Sequence, residues 1–244
     1  KAISALEAHF HGLSEDDIRR FSDMLIPILM QKLQSTDPKI IIASLEAIGA
    51  LAISLDDGFD SCYDALVPLL LRALTGEAEK NIREKAFECI SLTGFAVSKE
   101  KFAPAAATAL NSMFANTKMS QLSDCNNDAI KRICKVLGKD FAVFLPHFVP
   151  PILQALELDD VFSTDIQGEN EDDLVVAAEN TMLRVKTGQL TEMVALLNLL
   201  EVFMKCTAEG YLDFVHLTSA ALAKLLCYPT SSDLSPITSE LRDA

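Results

Sequence analysis

The sequence predicts an all-α fold: a right-handed solenoid of antiparallel helix pairs, interrupted by one long acidic insertion. Three observations lead there. Apolar residues make up 50% of the 244, with no Trp and only nine Gly and nine Pro, a composition that suits helices better than turn-rich sheets. Those apolar residues recur at helical spacing. The helical stripes themselves recur about every forty residues, the signature of stacked helix pairs.

Taken in order, Ser14 followed by Glu15, Asp16 and Asp17 reads as a helix start before Ile18, with a hydroxyl cap and acids favoured by the dipole. Phe21, Met24, Leu25, Ile28, Leu29 and Leu33 make its apolar stripe. Asp37-Pro38 opens a second helix, since Pro suits a first helical position. Tyr63, Leu66, Val67, Leu70, Leu71 and Leu74 repeat the first stripe. Ile82, Phe87, Glu88 and Ile90 repeat Ile40, Leu45, Glu46 and Ile48 at an offset of 42. The segments Ile26-Pro27-Ile28-Leu29, Val67-Pro68-Leu69-Leu70 and Val149-Pro150-Pro151-Ile152 mark first helices, and their first prolines are 41 and then 82 residues apart. The skipped member falls in the helical stretch 105–114, with Ala129, Ile130, Ile133 and Val136 supplying its second helix.

Two helices per ~40–47 residues is the HEAT and armadillo period. The units fall at about 14–56, 57–98, 99–139 and 140–207, with a last partial unit at 208–244. A generic bundle with accidental spacing is the alternative, and the spacings of 41 and 82 weigh against it. In such an array each pair leans on its neighbours, and small rotations between units create a concave inner surface.

The fourth unit is split. Its first helix runs to about Glu157. Its second fits Leu190 to Lys205, with Leu190, Met193, Val194, Leu197 and Met204 as the stripe. A turn needs only a few residues, so 158–188 is an insertion. An acidic run opens it, with Glu157 just before and Asp159, Asp160, Asp165, Glu169, Glu171, Asp172 and Asp173 within, and no Lys or Arg among them. Like charges oppose compaction, so this part is expected to be mobile and extended. In the rest, Val175, Val176 and Val185 fit two short strands around Glu179-Asn180, and a helix stays open. The insertion reads either as a solvated loop or as an acidic flap for a basic partner.

With 35 acidic and 21 basic residues, the net charge is −14. That field repels nucleic acid and anionic membranes and attracts basic partners. The longest apolar stretch, Ile40 to Ile53, contains Ser44 and Glu46 and falls short of the ~20 residues of a spanning helix, so no membrane partner is expected. None of the six cysteines forms a C-x-x-C pair and no N-x-S/T sequon occurs, a usage that fits a reducing compartment. The chain begins at Lys1 without Met and stops soon after Ser235-Pro236 opens another helix, so a piece of a longer protein is expected.

No phosphate-binding loop, dinucleotide fingerprint or nucleophile elbow is present. His9-x-His11 lacks a neighbouring acid or Cys to complete a metal set. His147, between Pro146 and Phe148, reads as packing. Lys131-Arg132 and Lys135 read as a solvated basic face. No catalytic site, metal or cofactor is expected.

The segment Ile82 to Phe102, reading Ile-Arg-Glu-Lys-Ala-Phe-Glu-Cys-Ile-Ser-Leu-Thr-Gly-Phe-Ala-Val-Ser-Lys-Glu-Lys-Phe, resembles the middle of the karyopherin-beta nuclear transport receptors. So do Cys134-Lys-Val-Leu-Gly-Lys-Asp-Phe141 and Leu145-Pro146. The acidic insertion followed by Arg184-Val-Lys-Thr-Gly-Gln-Leu190 points to the importin-five subfamily, also called karyopherin beta three. The likeness spans roughly residues 60–225. It implies a monomeric receptor of many HEAT repeats that shuttles between cytoplasm and nucleus. Such a receptor binds basic cargo signals on its concave face, meets Phe-Gly nucleoporins on its outer helices, and releases cargo when Ran-GTP binds. The main Ran site would lie outside this segment. Second helices line the concave side in that family, which makes Glu46, Glu84, Glu88, Asn126, Asn127 and Asp128 candidate contacts. Asp159, Asp160, Asp165, Glu169, Glu171, Asp172 and Asp173 are the candidates in the insertion. A HEAT scaffold holding a fixed partner, with no nucleotide-dependent release, is the alternative.

Overall fold

The computed structural model describes residues 15–76, 78–116, 123–156, 162–163, 173–178 and 181–226. Contacts divide the chain into two compact units, one ending at Leu137 and one whose main part begins at Gly138.

In the first unit α1 (Glu15–Lys32) is followed by α2 (Pro38–Leu55), α3 (Asp60–Thr75) by α4 (Lys80–Thr93), and α5 (Lys99–Asn116) by α6 (Asp124–Leu137). Asp37 makes the first of these turns. Its Oδ1 accepts the Lys39 N–H at 2.9 Å and its carbonyl accepts the Ile41 N–H at 3.2 Å. The side chain thereby satisfies an N–H that a helix start leaves orphaned and the carbonyl takes the first helical bond, while Pro38 has no N–H to lose. Pro27, Pro68, Pro104 and Pro150 all lie inside first helices and all are exposed. On that side water can satisfy the carbonyl that proline leaves without a partner.

The second helices α2, α4 and α6 pack on one another in that order, more extensively than α1, α3 and α5 do. The middle member, α4, is buried along Ile82, Ala86, Phe87, Cys89, Ile90, Ser91 and Thr93. Polar contacts follow the same repeat. Lys101 Nζ donates to the Asp60 carbonyl at 3.0 Å and Arg132 Nε to Ser91 Oγ at 3.0 Å, each across 41 residues. Lys101 also pairs with the Asp60 and Asp64 carboxylates at 3.0 and 3.1 Å and lies over the Tyr63 ring. Arg132 is therefore a bond between helices, not part of a solvated face.

Two stripes differ from the sequence expectation. Among the described side chains Ile26 and Leu29 of α1, and Leu33 just after it, are buried, while Met24 and Ile28 are 66% and 50% exposed. Packing on α2 selects one narrow face, and no described element covers the other. On α8, introduced below, Phe203 is buried and Met204 exposed. Helix α2 is long and apolar enough by length and composition to cross a membrane, which the sequence reading had set aside. Here its apolar residues, among them Leu45, Ile48 and Leu51, are core packed against α1 and α4.

The second unit holds a 3-10 turn at Gly138–Phe144, α7 (Leu145–Ala155), α8 (Thr187–Thr207), a turn at Ala208–Tyr211 and α9 (Leu212–Leu226). Helix α7 ends two residues before Glu157 and α8 starts three before Leu190. The core is aromatic. Phe141 stacks on Phe203 at 5.1 Å and on Phe148 at 5.6 Å, and Tyr211 Oη bonds Thr218 Oγ1 at 2.9 Å. His147, read from sequence as packing, is exposed.

Between α7 and α8, β1 (Phe162–Ser163), β2 (Asp173–Ala178) and β3 (Thr181–Lys186) form an antiparallel sheet in the order β1-β3-β2. Leu174 pairs with Val185 and Val176 with Leu183, so branched, β-favouring residues decide the choice the sequence left open between strand and helix. The helical array keeps its all-α character, and the strands are confined to the insertion.

Gly94, at the end of α4, has helical backbone angles. An added Cβ would lie 2.7 Å from ring atoms of Phe102, which is fully buried. Overpacking of a core typically costs ~1–3 kcal/mol, against a gain of at most ~1 kcal/mol from replacing Gly by Ala in a helix. Gly94→Ala should therefore lower the unfolding free energy by about 1–2 kcal/mol, read as a lower urea midpoint. A raised midpoint would contradict the close packing of this turn.

Candidate functional site

Glu46 on α2 and Glu88 on α4 are one repeat apart in sequence, and Lys85 precedes Glu88 by three residues, which puts both on one helix face. The fold joins all three. Lys85 Nζ lies 2.7 Å from Glu88 Oε2 and 3.5 Å from Glu46 Oε1, with all three side chains 25–28% exposed. They edge a groove of about 210 Å³ between α2 and α4 whose other walls are Leu45, Ala50, Ile53, Cys89 and Leu92. Ile53 is 58% exposed on its rim. The groove thus combines an apolar wall, two carboxylates and one internal ammonium. Long basic side chains use such surroundings well, since they bury their stems and place their charge at the edge.

Burial acts to lower the Lys85 pKa, but the hydrogen bond and charge of Glu88, then the charge of Glu46, outweigh it, so the ammonium titrates above its ordinary 10.5. Cys125, in the first turn of α6, adds a smaller push in the same direction. A raised folded pKa means the pair's contribution to stability is complete below the unfolded value and is lost as pH climbs through the folded one.

The remaining candidates are dispersed. Glu84 pairs with the exposed Lys80 at 3.7 Å and borders a smaller recess of about 60 Å³ shared with Arg83, Ser112 and Asn126. Asn126 and Asn127 are only 3% and 4% exposed, so they serve the interior more than an open surface. Asn127 Oδ1 is buried with no partner among the described residues. Asp128 is exposed and pairs with Lys131 at 3.4 Å. Of the insertion candidates, Asp159, Asp160, Asp165, Glu169, Glu171 and Asp172 lie outside the described residues, as does His9-x-His11. Asp173 opens β2, opposite Lys186. Among the described residues no three metal-ligating side chains gather.

The sequence reading missed Lys85. Its signal was available: a lysine three residues before one repeated acid and 39 after the other.

No protein-family model matches the chain. Importin subunit beta-3 of Saccharomyces cerevisiae is 33% identical over 163 residues, which are 62% of this chain and 15% of that protein. A probable importin-5 homolog of Dictyostelium discoideum is 27% identical over 146 residues, 57% of this chain and 14% of the other. Its homologues are members of the importin-beta family. They include the beta-three and importin-five proteins that residues 82–102 resemble. The karyopherin Kap121p, solved bound to the extreme C-terminus of the protein phosphatase Cdc14p, superposes with a TM-score of 0.78 at 25% identity, over 97% of this chain and 24% of Kap121p. The array therefore has the HEAT-solenoid fold seen in Kap121p. It spans about a sixth of the sequence relatives it matches.

If Glu88 holds the Lys85 ammonium, Glu88→Gln removes the larger of the two supports while leaving burial in place. The Lys85 pKa, followed by NMR of its side chain, should then fall. An unmoved titration would mean the 2.7 Å contact does not hold in solution.

Proposed function

We propose that this chain is part of a nuclear transport receptor that takes basic cargo signals on the face formed by α2, α4 and α6. The observation that carries this reading is the groove between α2 and α4, where Glu46 and Glu88 stand beside apolar walls. The −14 net charge would draw basic segments toward it. Closer packing along the second helices than along the first supports placing that face on the inside of the curve. The homologues are importins, and Kap121p has been solved bound to Cdc14p and to the SUMO protease Ulp1p.

The finer reading keeps the rest of the transport cycle. Ran-GTP, with its main site outside this segment, releases the cargo. Phe-Gly nucleoporins meet the first helices, and the intact protein shuttles between cytoplasm and nucleus as a monomer. The acidic run from Asp159 to Asp173 contacts a basic partner.

In the intact protein, replacing Glu46 and Glu88 together by Gln should weaken a lysine-rich peptide about tenfold, with a shallower salt dependence. Ran-GTP should displace a basic cargo in a pull-down. Cargo that stays bound would favour a scaffold with a fixed partner.

Converting Asp159, Asp160, Glu169, Glu171, Asp172 and Asp173 to their amides should weaken cargo binding or change Ran-driven release. If neither moves, the insertion is a solvated loop.

A further inference from the structure

We propose that Lys85 is a built-in competitor for basic ligands: it occupies the position between Glu46 and Glu88 that an incoming lysine or arginine must take. The inference rests on the basic-cargo reading of this groove and adds a residue that sets its affinity and selectivity.

The geometry gives Lys85 two unequal contacts. Its 2.7 Å bond to Glu88 is within its own helix, while Glu46, on α2, is 3.5 Å away. A guest cation therefore gains Glu46 first, and Lys85 can fall back on Glu88 without leaving its helix. Holding α2 to α4 does not require the ammonium, because Leu45, Ile48 and Leu51 of α2 and Phe87 and Ile90 of α4 are already buried. In water such a pair contributes little, but these groups are about three-quarters covered, where charges are screened less.

Two carboxylates and one ammonium leave the groove with a single negative charge. A lone lysine would exchange one ammonium for another and gain almost nothing. A segment with several basic residues gains from its other contacts, and arginine gains more than lysine because its planar fork can bridge both carboxylates. Lys85 thus rejects isolated basic side chains and admits dense basic segments.

The test is fluorescence anisotropy of the intact protein with a fluorescein-labelled Gly-Lys-Lys-Gly peptide. Lys85→Met should bind it about five- to tenfold more tightly than wild type, with a steeper salt dependence. Lys85→Arg, which keeps the charge, should not. Glu46→Gln placed in the Lys85→Met background should abolish the gain. Lys85→Gln guards against a packing defect of the methionine variant, since its amide can still donate to Glu88. If wild type binds the peptide and neither Lys85→Met nor Lys85→Gln binds it more tightly, the competitor role is overturned while the groove reading stands. If wild type and all variants fail to bind, the groove reading falls and the competitor with it.

Discussion

The middle helix of the first unit sets the terms for everything around it. With Ile82, Ala86, Phe87, Cys89 and Ile90 all buried, α4 is apolar around much more than the single stripe of a surface helix. A partner on one side would leave the other side in water. Burial of α4 therefore requires α2 and α6 together, as it does in the fold. That requirement makes the array one-dimensional: each pair is stable because a neighbour completes it.

The same requirement explains why the sequence was legible in some places and not in others. Period and helix type follow from residues that must be buried, such as Tyr63, Leu66, Leu70 and Leu74, and burial imposes a pattern. Prolines 27, 68 and 150 could mark the period because they sit on faces where a lost hydrogen bond is tolerated. For a polar residue the pattern does not say what the side chain will face. Asn126 and Asn127, surface contacts by the sequence reading, are buried, Asn126 in the wall of the recess beside Glu84. Arg132 looked solvated and reaches Ser91. Lys85 looked ordinary because its meaning depends on Glu46, which only the stacking of α4 on α2 brings near. Pairwise proximity across a repeat is invisible until the register of stacking is known. Residues 174–186 were ambiguous for a different reason: short apolar runs suit either periodicity, and tertiary pairing decides.

Charge is arranged with the same economy. Basic residues of an acidic chain could be expected to stay on the surface, yet Lys85, Lys101 and Arg132 each bond residues of a neighbouring helix pair. These three basic side chains link units. In the α2–α4 groove one of these links sets a single ammonium against two carboxylates.

The aromatic contacts of the second unit bear on how this architecture can change. Phe148 of α7 meets Phe203 of α8 at 5.3 Å, with Phe141 packed on both. These rings fasten the two helices from which the insertion leaves and to which it returns. With its ends fixed by others, a connecting segment can grow cheaply: doubling a flexible loop costs only ~0.6 kcal/mol. The ring cluster therefore holds α7 to α8 whatever lies in the chain between them, and a longer connection would add loop entropy without loosening that joint.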